Sequence, residues 1–137
     1  MKVKKVLKGV ILSVSMLCLF MQSINADAYV AGYPYSFELA AGGQGAPGVS
    51  GNATKQTYYS YAQVNVLEYS NPGHYTRAYT TGALRSYDRY FCGTGNYSVS
   101  YQPNENDFYC YGGTFNLNML TSSDNPNKEK VKGNWTP

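Results

Sequence analysis

Between residues 57 and 66 of this chain, apolar and polar side chains alternate with a period of two. Successive side chains of a β-strand point to opposite faces, so this alternation predicts a strand with one buried and one exposed face. The turn residues Asn71-Pro72-Gly73 come next, and a second alternating segment follows at residues 74–81. The two segments and the turn between them predict a β-hairpin.

Further short alternating segments follow, separated by clusters of Gly, Asn, Pro and Asp. We predict strands at residues 83–92, 97–101, 108–111, 114–120 and 131–137, the last of them as an edge strand. After residue 28, the sequence does not repeat apolar side chains at the spacing of a helix face. Short strands with turns between them are typical of an antiparallel sandwich or barrel. The pattern therefore predicts an all-β protein, a small antiparallel β-sandwich or barrel.

The first 28 residues have the three parts of a secretory signal peptide. Four lysines between residues 2 and 8 form a positive region, an apolar stretch follows at residues 10–21, and Ala26-Asp27-Ala28 supplies small residues for cleavage. A membrane-spanning helix needs about 20 apolar residues, and this stretch is shorter. Cleavage after Ala28 would give a secreted protein, extracellular or associated with the cell wall, with no stable membrane insertion.

The remaining chain is predicted to have two parts. Residues 29–53 are an extended N-terminal segment that is rich in Gly, a residue that weakens both helices and strands. Residues 54–137 are predicted to form a single β domain, because a chain of this length supports one hydrophobic core.

Loss of the signal peptide changes the charge of the protein. The whole chain has a formal net charge of +3, but four lysines and one aspartate lie in residues 1–28. Basic and acidic side chains are then equal in number. A nucleic-acid-binding protein needs a basic surface that neutralises several phosphates. We therefore expect neither nucleic acid nor an anionic membrane as a partner.

Two cysteines remain after cleavage, Cys92 and Cys110. An even number of cysteines in an exported chain predicts a disulfide. Closing a loop of this moderate length would stabilise a small domain by roughly 3 kcal/mol. The alternative is a reactive thiol with His74 as its base.

Few residues offer catalytic or metal-binding chemistry. A single His and three Cys exclude a multi-histidine zinc site and a cysteine-rich cluster. Residues 104–107 present oxygen ligands but lack the spacing of a calcium-binding loop, and we predict a turn there. A small hydrolase centred on His74 is an alternative, although no G-x-S-x-G sequence is present. We therefore predict a protein that is not an enzyme and that holds no cofactor or metal.

The chain contains 15 tyrosines, and Tyr58, Tyr59 and Tyr61 fall on both faces of one predicted strand. Both faces of a strand cannot point into one core, so some of these rings must face solvent or a partner. Tyr is also favoured in half-buried strands, which is a purely structural alternative. Exposed rings stack on sugar faces, and nearby arginines bind hydroxyls and carboxylates. The predicted binding surface consists of Tyr58, Tyr59, Tyr61, Tyr75, Tyr79, Tyr87, Arg77, Arg85 and Arg89.

The layout resembles that of small secreted proteins of Gram-positive bacteria. The resemblance rests on the lysine-rich leader, on Tyr33-Pro34-Tyr35-Ser36-Phe37, on the strand rich in Thr, Tyr and Ser from Thr54, and on the closing Val131-x-Gly133-x-Trp135-x-Pro137. Some of these proteins are similar to bacteriocins of the lactococcin 972 type. The resemblance implies a secreted β-sheet protein and assigns no catalytic residue.

These observations predict a non-enzymatic protein that binds cell-wall glycan or another envelope component through a tyrosine-rich sheet face. A bacteriocin-like antimicrobial polypeptide is one alternative. A self-associating extracellular structural protein is another.

Overall fold

The computed structural model describes residues 32–103 and 110–137. The predicted signal peptide at residues 1–28, the predicted turn at 104–107 and most of the strand predicted at 108–111 lie outside these residues.

The described residues form nine strands and one turn of 3-10 helix at Ala41–Gly43. The strands are β1 (Tyr33–Leu39), β2 (Gly48–Val49), β3 (Ala53–Thr54), β4 (Tyr61–Tyr69), β5 (Thr76–Gly82), β6 (Arg89–Phe91), β7 (Gly95–Ser100), β8 (Thr114–Thr121) and β9 (Glu129–Thr136). Sheet A has the order β1-β9-β4-β7. Sheet B has the order β2-β8-β5-β6, and β3 also pairs with β8. Every pairing is antiparallel.

The two sheets pack face to face and enclose the core. Alternate residues of each strand point inward, as in Ala62, Val64 and Val66 of β4. From sheet B, Phe115 and Leu117 of β8 point into the same core. The predicted all-β fold is therefore confirmed as an antiparallel β-sandwich.

The predicted β-hairpin at residues 57–81 is wrong. The turn at Asn71-Pro72-Gly73 is present, but β4 pairs with β7 and β9, whereas β5 pairs with β6 and β8. The turn therefore carries the chain from sheet A to sheet B. Turn residues determine where the chain reverses, and they do not determine which strand becomes the neighbour.

The sequence predicted that the C-terminal segment is an edge strand, and this prediction is wrong. It forms β9, which lies between β1 and β4 inside sheet A. Val131, Gly133 and Trp135 point into the core, and Lys130 and Lys132 point outward. A central strand needs one wholly buried face, and the closing Val-x-Gly-x-Trp pattern supplies it.

The sandwich also includes strands from the N-terminal part of the chain, which the sequence analysis separated from the β domain at residue 54. β1 pairs with β9 over its whole length, and β2 and β3 pair with β8. The strand predicted at 83–92 is shorter, because only Arg89–Phe91 forms β6 and Ser86 forms a single bridge with Tyr101.

The predicted disulfide between Cys92 and Cys110 is not present in the structure. The carbonyl oxygen of Cys92 accepts a hydrogen bond from Gly73, just before β5 begins. The thiol of Cys110 lies 3.9 Å from the carbonyl oxygen of Ala83, just after β5 ends. Seven strand residues span about 20 Å, whereas a disulfide needs Cα atoms within about 7 Å.

Candidate functional site

Four tyrosines form two stacked pairs near the start of β4. Tyr58 and Tyr59 precede this strand, Tyr61 is its first residue, and Tyr111 lies three residues before β8. The rings of Tyr58 and Tyr111 stack with centroids 4.6 Å apart and planes 8° apart. The rings of Tyr59 and Tyr61 stack at 5.3 Å and 6°. Tyr58 is 72% exposed, and Tyr59 and Tyr111 are each 56% exposed. We call these four residues the tyrosine cluster.

The buried Lys55 helps to position the tyrosine cluster. Its backbone N–H donates to Gly113, and its carbonyl accepts from Gly112, so the chain before Tyr58 is held against the chain after Tyr111. Its ammonium group donates to the hydroxyl of Thr57 at 3.1 Å and lies 4.7 Å from the centre of the Tyr101 ring. Burial lowers the pKa of Lys55 to about 8, and the nearby Cys110 acts in the opposite direction.

Next to the cluster, the outer face of sheet A carries aligned amide and hydroxyl side chains. The strand register places Asn65 opposite Asn134 on one side and Asn96 on the other. Two residues along β4, it places Gln63 opposite Thr136 and Ser98. We call these two sets the amide rows. The first row consists of Asn134, Asn65 and Asn96, and the second row consists of Thr136, Gln63 and Ser98.

The amide rows lead directly to the tyrosines. Two residues before Gln63, Tyr61 lies opposite Ser100 of β7. On the other side of Ser100, the backbone N–H of Tyr87 donates to the Ser100 carbonyl at 2.8 Å, and the Tyr87 side chain is exposed. Tyr61 and Tyr87 therefore flank Ser100 where the rows end.

Charged side chains of the same face lie at its other end, and they are paired with each other. Lys132 contacts Glu68 at 2.8 Å, and Lys130 contacts Glu38 at 3.3 Å. Both pairs are well exposed. The amide rows themselves carry no formal charge.

A second group of predicted residues lies on the outer face of sheet B. The guanidinium groups of Arg77 and Arg85 lie 5.4 and 5.9 Å from the centre of the Tyr79 ring. Arg77 also contacts Asp88 at 3.3 Å. Beside Arg77 is a groove of about 310 Å³, lined by Gly42, Gly43, Gln44, Arg77, Tyr90, Leu120, Thr121, Ser122 and Ser123.

The structure therefore divides the predicted binding surface between two faces of the molecule. Four of its residues lie around the start of β4 and the neighbouring Ser100 of sheet A, namely Tyr58, Tyr59, Tyr61 and Tyr87. Three others lie together on the outer face of sheet B, namely Arg77, Tyr79 and Arg85. The other two predicted residues are also exposed: Tyr75 lies just before β5, and Arg89 is the first residue of β6. Tyr111 and the amide rows were not predicted from the sequence. The alternation in the sequence did place Gln63 and Asn65 on the same face of the strand as Tyr61. The residues opposite them on β7 and β9 could not be predicted, because they depend on how the strands pair.

His74, the candidate catalytic base, lies two residues before β5. Its carbonyl oxygen accepts a hydrogen bond from Tyr69 at 2.6 Å, and the described residues include no hydroxyl or thiol bonded to its side chain. The nearby Ser122 hydroxyl donates directly to Asp124, and this bond is the main cause that lowers the pKa of that carboxyl group.

Across residues 32–103 and 110–137, no group of three or more His, Cys, Asp or Glu side chains is placed to hold a metal ion. In the same residues we find no helix with the length and apolar character needed to cross a membrane.

No protein-family model, curated protein or solved structure matches this chain. The resemblance to bacteriocins of the lactococcin 972 type therefore stays a prediction.

Proposed function

We propose that this protein is a secreted, non-enzymatic protein that binds a component of the cell wall or cell surface. The binding surface is the tyrosine cluster together with the adjoining outer face of sheet A. The observation that carries the proposal is the presence of two stacked tyrosine pairs, Tyr58–Tyr111 and Tyr59–Tyr61. Three of these rings are exposed, and Tyr61 is half-buried.

Exposed stacked rings favour a role in ligand binding over a role in packing the hydrophobic core. Tyr35 and Tyr101 are buried among the apolar side chains of the core and contribute to its packing. The rings of Tyr58, Tyr59 and Tyr111 remain largely in water. A large rigid ring with a polar tip offers contact area at low entropic cost, and its flat face packs on the flat face of a sugar.

Sedimentation with isolated Gram-positive cell walls tests this function. Purified protein starting at Tyr29 should sediment with the walls in a saturable way, and Tyr59→Ala should weaken this binding roughly tenfold, because it removes one stacked ring from the surface. Tyr90→Ala is the matched control, since Tyr90 is a similarly exposed ring on sheet B. Wall binding should be unchanged in that variant.

Failure to bind walls would contradict the proposal and favour one of the alternatives. A zone of growth inhibition from the purified protein would indicate an antimicrobial polypeptide. A sedimentation coefficient that rises with protein concentration would indicate self-association.

A further inference from the structure

We infer that the ligand of this surface is a neutral glycan and that the amide rows bind its hydroxyl groups. The inference rests on the proposed function and deepens it, because it assigns a chemical class of ligand and a set of residues beyond the tyrosines.

The amide rows have hydrogen-bonding capacity that the protein itself does not use. The side chains of Gln63, Asn65 and Asn96 make no hydrogen bond to any other described residue. Each amide offers both donors and acceptors, and sugar hydroxyls also donate and accept. Neighbouring strands lie about 4.8 Å apart, so three aligned side chains present a regular series of bonding groups. A polymer with repeated hydroxyls can use all of them at once.

The charge of this face favours a neutral ligand. An anionic wall polymer would need cations that are free to bind it. Within the described part of this face, Lys130 and Lys132 are each paired with a glutamate, Glu38 and Glu68 respectively. The rows between these pairs and the tyrosines are uncharged. The surface therefore complements a neutral, hydroxyl-rich chain.

The amide rows and the tyrosine rings form one continuous surface. Gln63 and Tyr61 are two residues apart on β4, and their side chains point outward on the same face. Tyr59 stacks on Tyr61. A glycan that runs along β4 would therefore meet amides first and then aromatic rings, the two kinds of group that bind hydroxyls and sugar faces.

The variant Gln63→Leu tests the inference. It keeps the size of the side chain and removes the amide. Titration with two neutral probes, a soluble N-acetylglucosamine oligomer and a soluble neutral glucan, should shift the backbone amide resonances of Asn65 and Asn96. Affinity for the probe that binds should fall roughly fivefold in Gln63→Leu, the loss expected for one hydrogen bond. Binding should persist at high salt, since no ion pair is involved.

Two further variants keep this test decisive. Asn96→Ala removes an amide of the rows from an exposed position of the edge strand β7, and it should also weaken binding. Because β7 is an edge strand, this variant tests the role of the rows without a change in the centre of the sheet. Gln56→Leu is the matched control, because Gln56 is an exposed glutamine outside the rows. Its affinity should equal that of the wild type.

The outcomes separate this inference from the proposed function. If the protein binds walls but neither neutral probe, and instead binds teichoic acid in a salt-dependent way, the inference is overturned while wall binding stands. If it binds no wall preparation, the proposed function itself fails. If the protein self-associates and Gln63→Leu abolishes this, the face binds a second copy of the chain and the inference is overturned.

Discussion

Gly133 lies in the middle of β9, directly opposite Tyr35 of β1. A Cβ atom at this position would lie 1.9 Å from the carbonyl oxygen of Asn65 and 2.8 Å from the hydroxyl oxygen of Tyr35. The Tyr35 hydroxyl itself donates to the same carbonyl at 3.2 Å. Gly133 is therefore the residue that allows a tyrosine and the backbone of β4 to meet inside sheet A.

We expect Gly133→Ala to lower the free energy of unfolding by about 3 kcal/mol, because the backbone of a central strand must shift to admit the methyl group. Urea denaturation measures this loss. Gly51→Ala is the control, since a Cβ at Gly51 would meet nothing within 4 Å. That variant should be neutral or more stable by up to about 1 kcal/mol. Equal stabilities of the two variants would show that sheet A has room at Gly133.

Sequence alone could indicate part of this arrangement. A glycine within a strand pattern indicates a close approach of another group. The group that approaches Gly133 comes from strands far away in the chain, so only the fold identifies Tyr35 and Asn65. The same limit applies to the candidate site, where exposed Tyr58 and Tyr59 were predicted and the partner Tyr111 was not.

At the scale of elements, the turn after β4 depends on a residue from another strand. The carboxylate of Glu129, at the start of β9, is fully buried. It accepts hydrogen bonds from the backbone N–H groups of Ser70 and Asn71 at 2.8 and 3.0 Å, and from the Ser70 hydroxyl at 2.8 Å. Glu129 therefore fixes the point where the chain leaves sheet A for sheet B.

Glu129→Ala should lower the free energy of unfolding by about 3 kcal/mol, because it leaves the Asn71 N–H and the Ser70 hydroxyl without the buried oxygen that accepts from them. Glu68→Ala is the control, since Glu68 also lies in sheet A but forms an exposed ion pair with Lys132. Its loss should cost less than about 1 kcal/mol. Thermal or urea unfolding compares the two, and similar losses would mean that the buried carboxylate does not hold the turn.

The alternation of apolar and polar residues predicts which face of a strand is buried, but it does not predict which strands pair. Alternation placed Ala62, Val64 and Val66 on the buried face of β4, and the structure agrees. Pairing was not predictable in this way, because the turn after β4 suits a hairpin as well as a crossing between sheets. The central position of β9 likewise depends on β1 and β4, which are far from it in the chain.

At the scale of the whole molecule, the sandwich buries groups that titrate at alkaline pH. Burial lowers the pKa of Lys55 to about 8, with Cys110 acting in the opposite direction. Burial raises the pKa of Tyr69 to about 12, and it raises the pKa of Tyr35 and Tyr101 as well. The lysine and the tyrosines therefore change the stability of the protein in opposite directions as the pH rises.

Between pH 8 and 10 the unfolded chain keeps its proton on Lys55, whereas the folded protein has lost it. Stability rises with pH wherever the unfolded state binds more protons, so the free energy of unfolding should increase by about 2 kcal/mol over this range. Above pH 10 the unfolded tyrosines ionise while the buried ones stay protonated. The folded state then binds more protons, and stability should fall. Urea denaturation at a series of pH values should therefore show a maximum near pH 10.

Lys55→Met isolates the contribution of the lysine. Methionine fills a similar volume without a titrating group, so the rise between pH 8 and 10 should disappear while the fall above pH 10 remains. Below pH 8 the variant should be the more stable protein, because burial no longer opposes a charge. If the rise persists in Lys55→Met, another group causes it. If wild-type stability is flat from pH 8 to 10, Lys55 keeps its proton in the folded state.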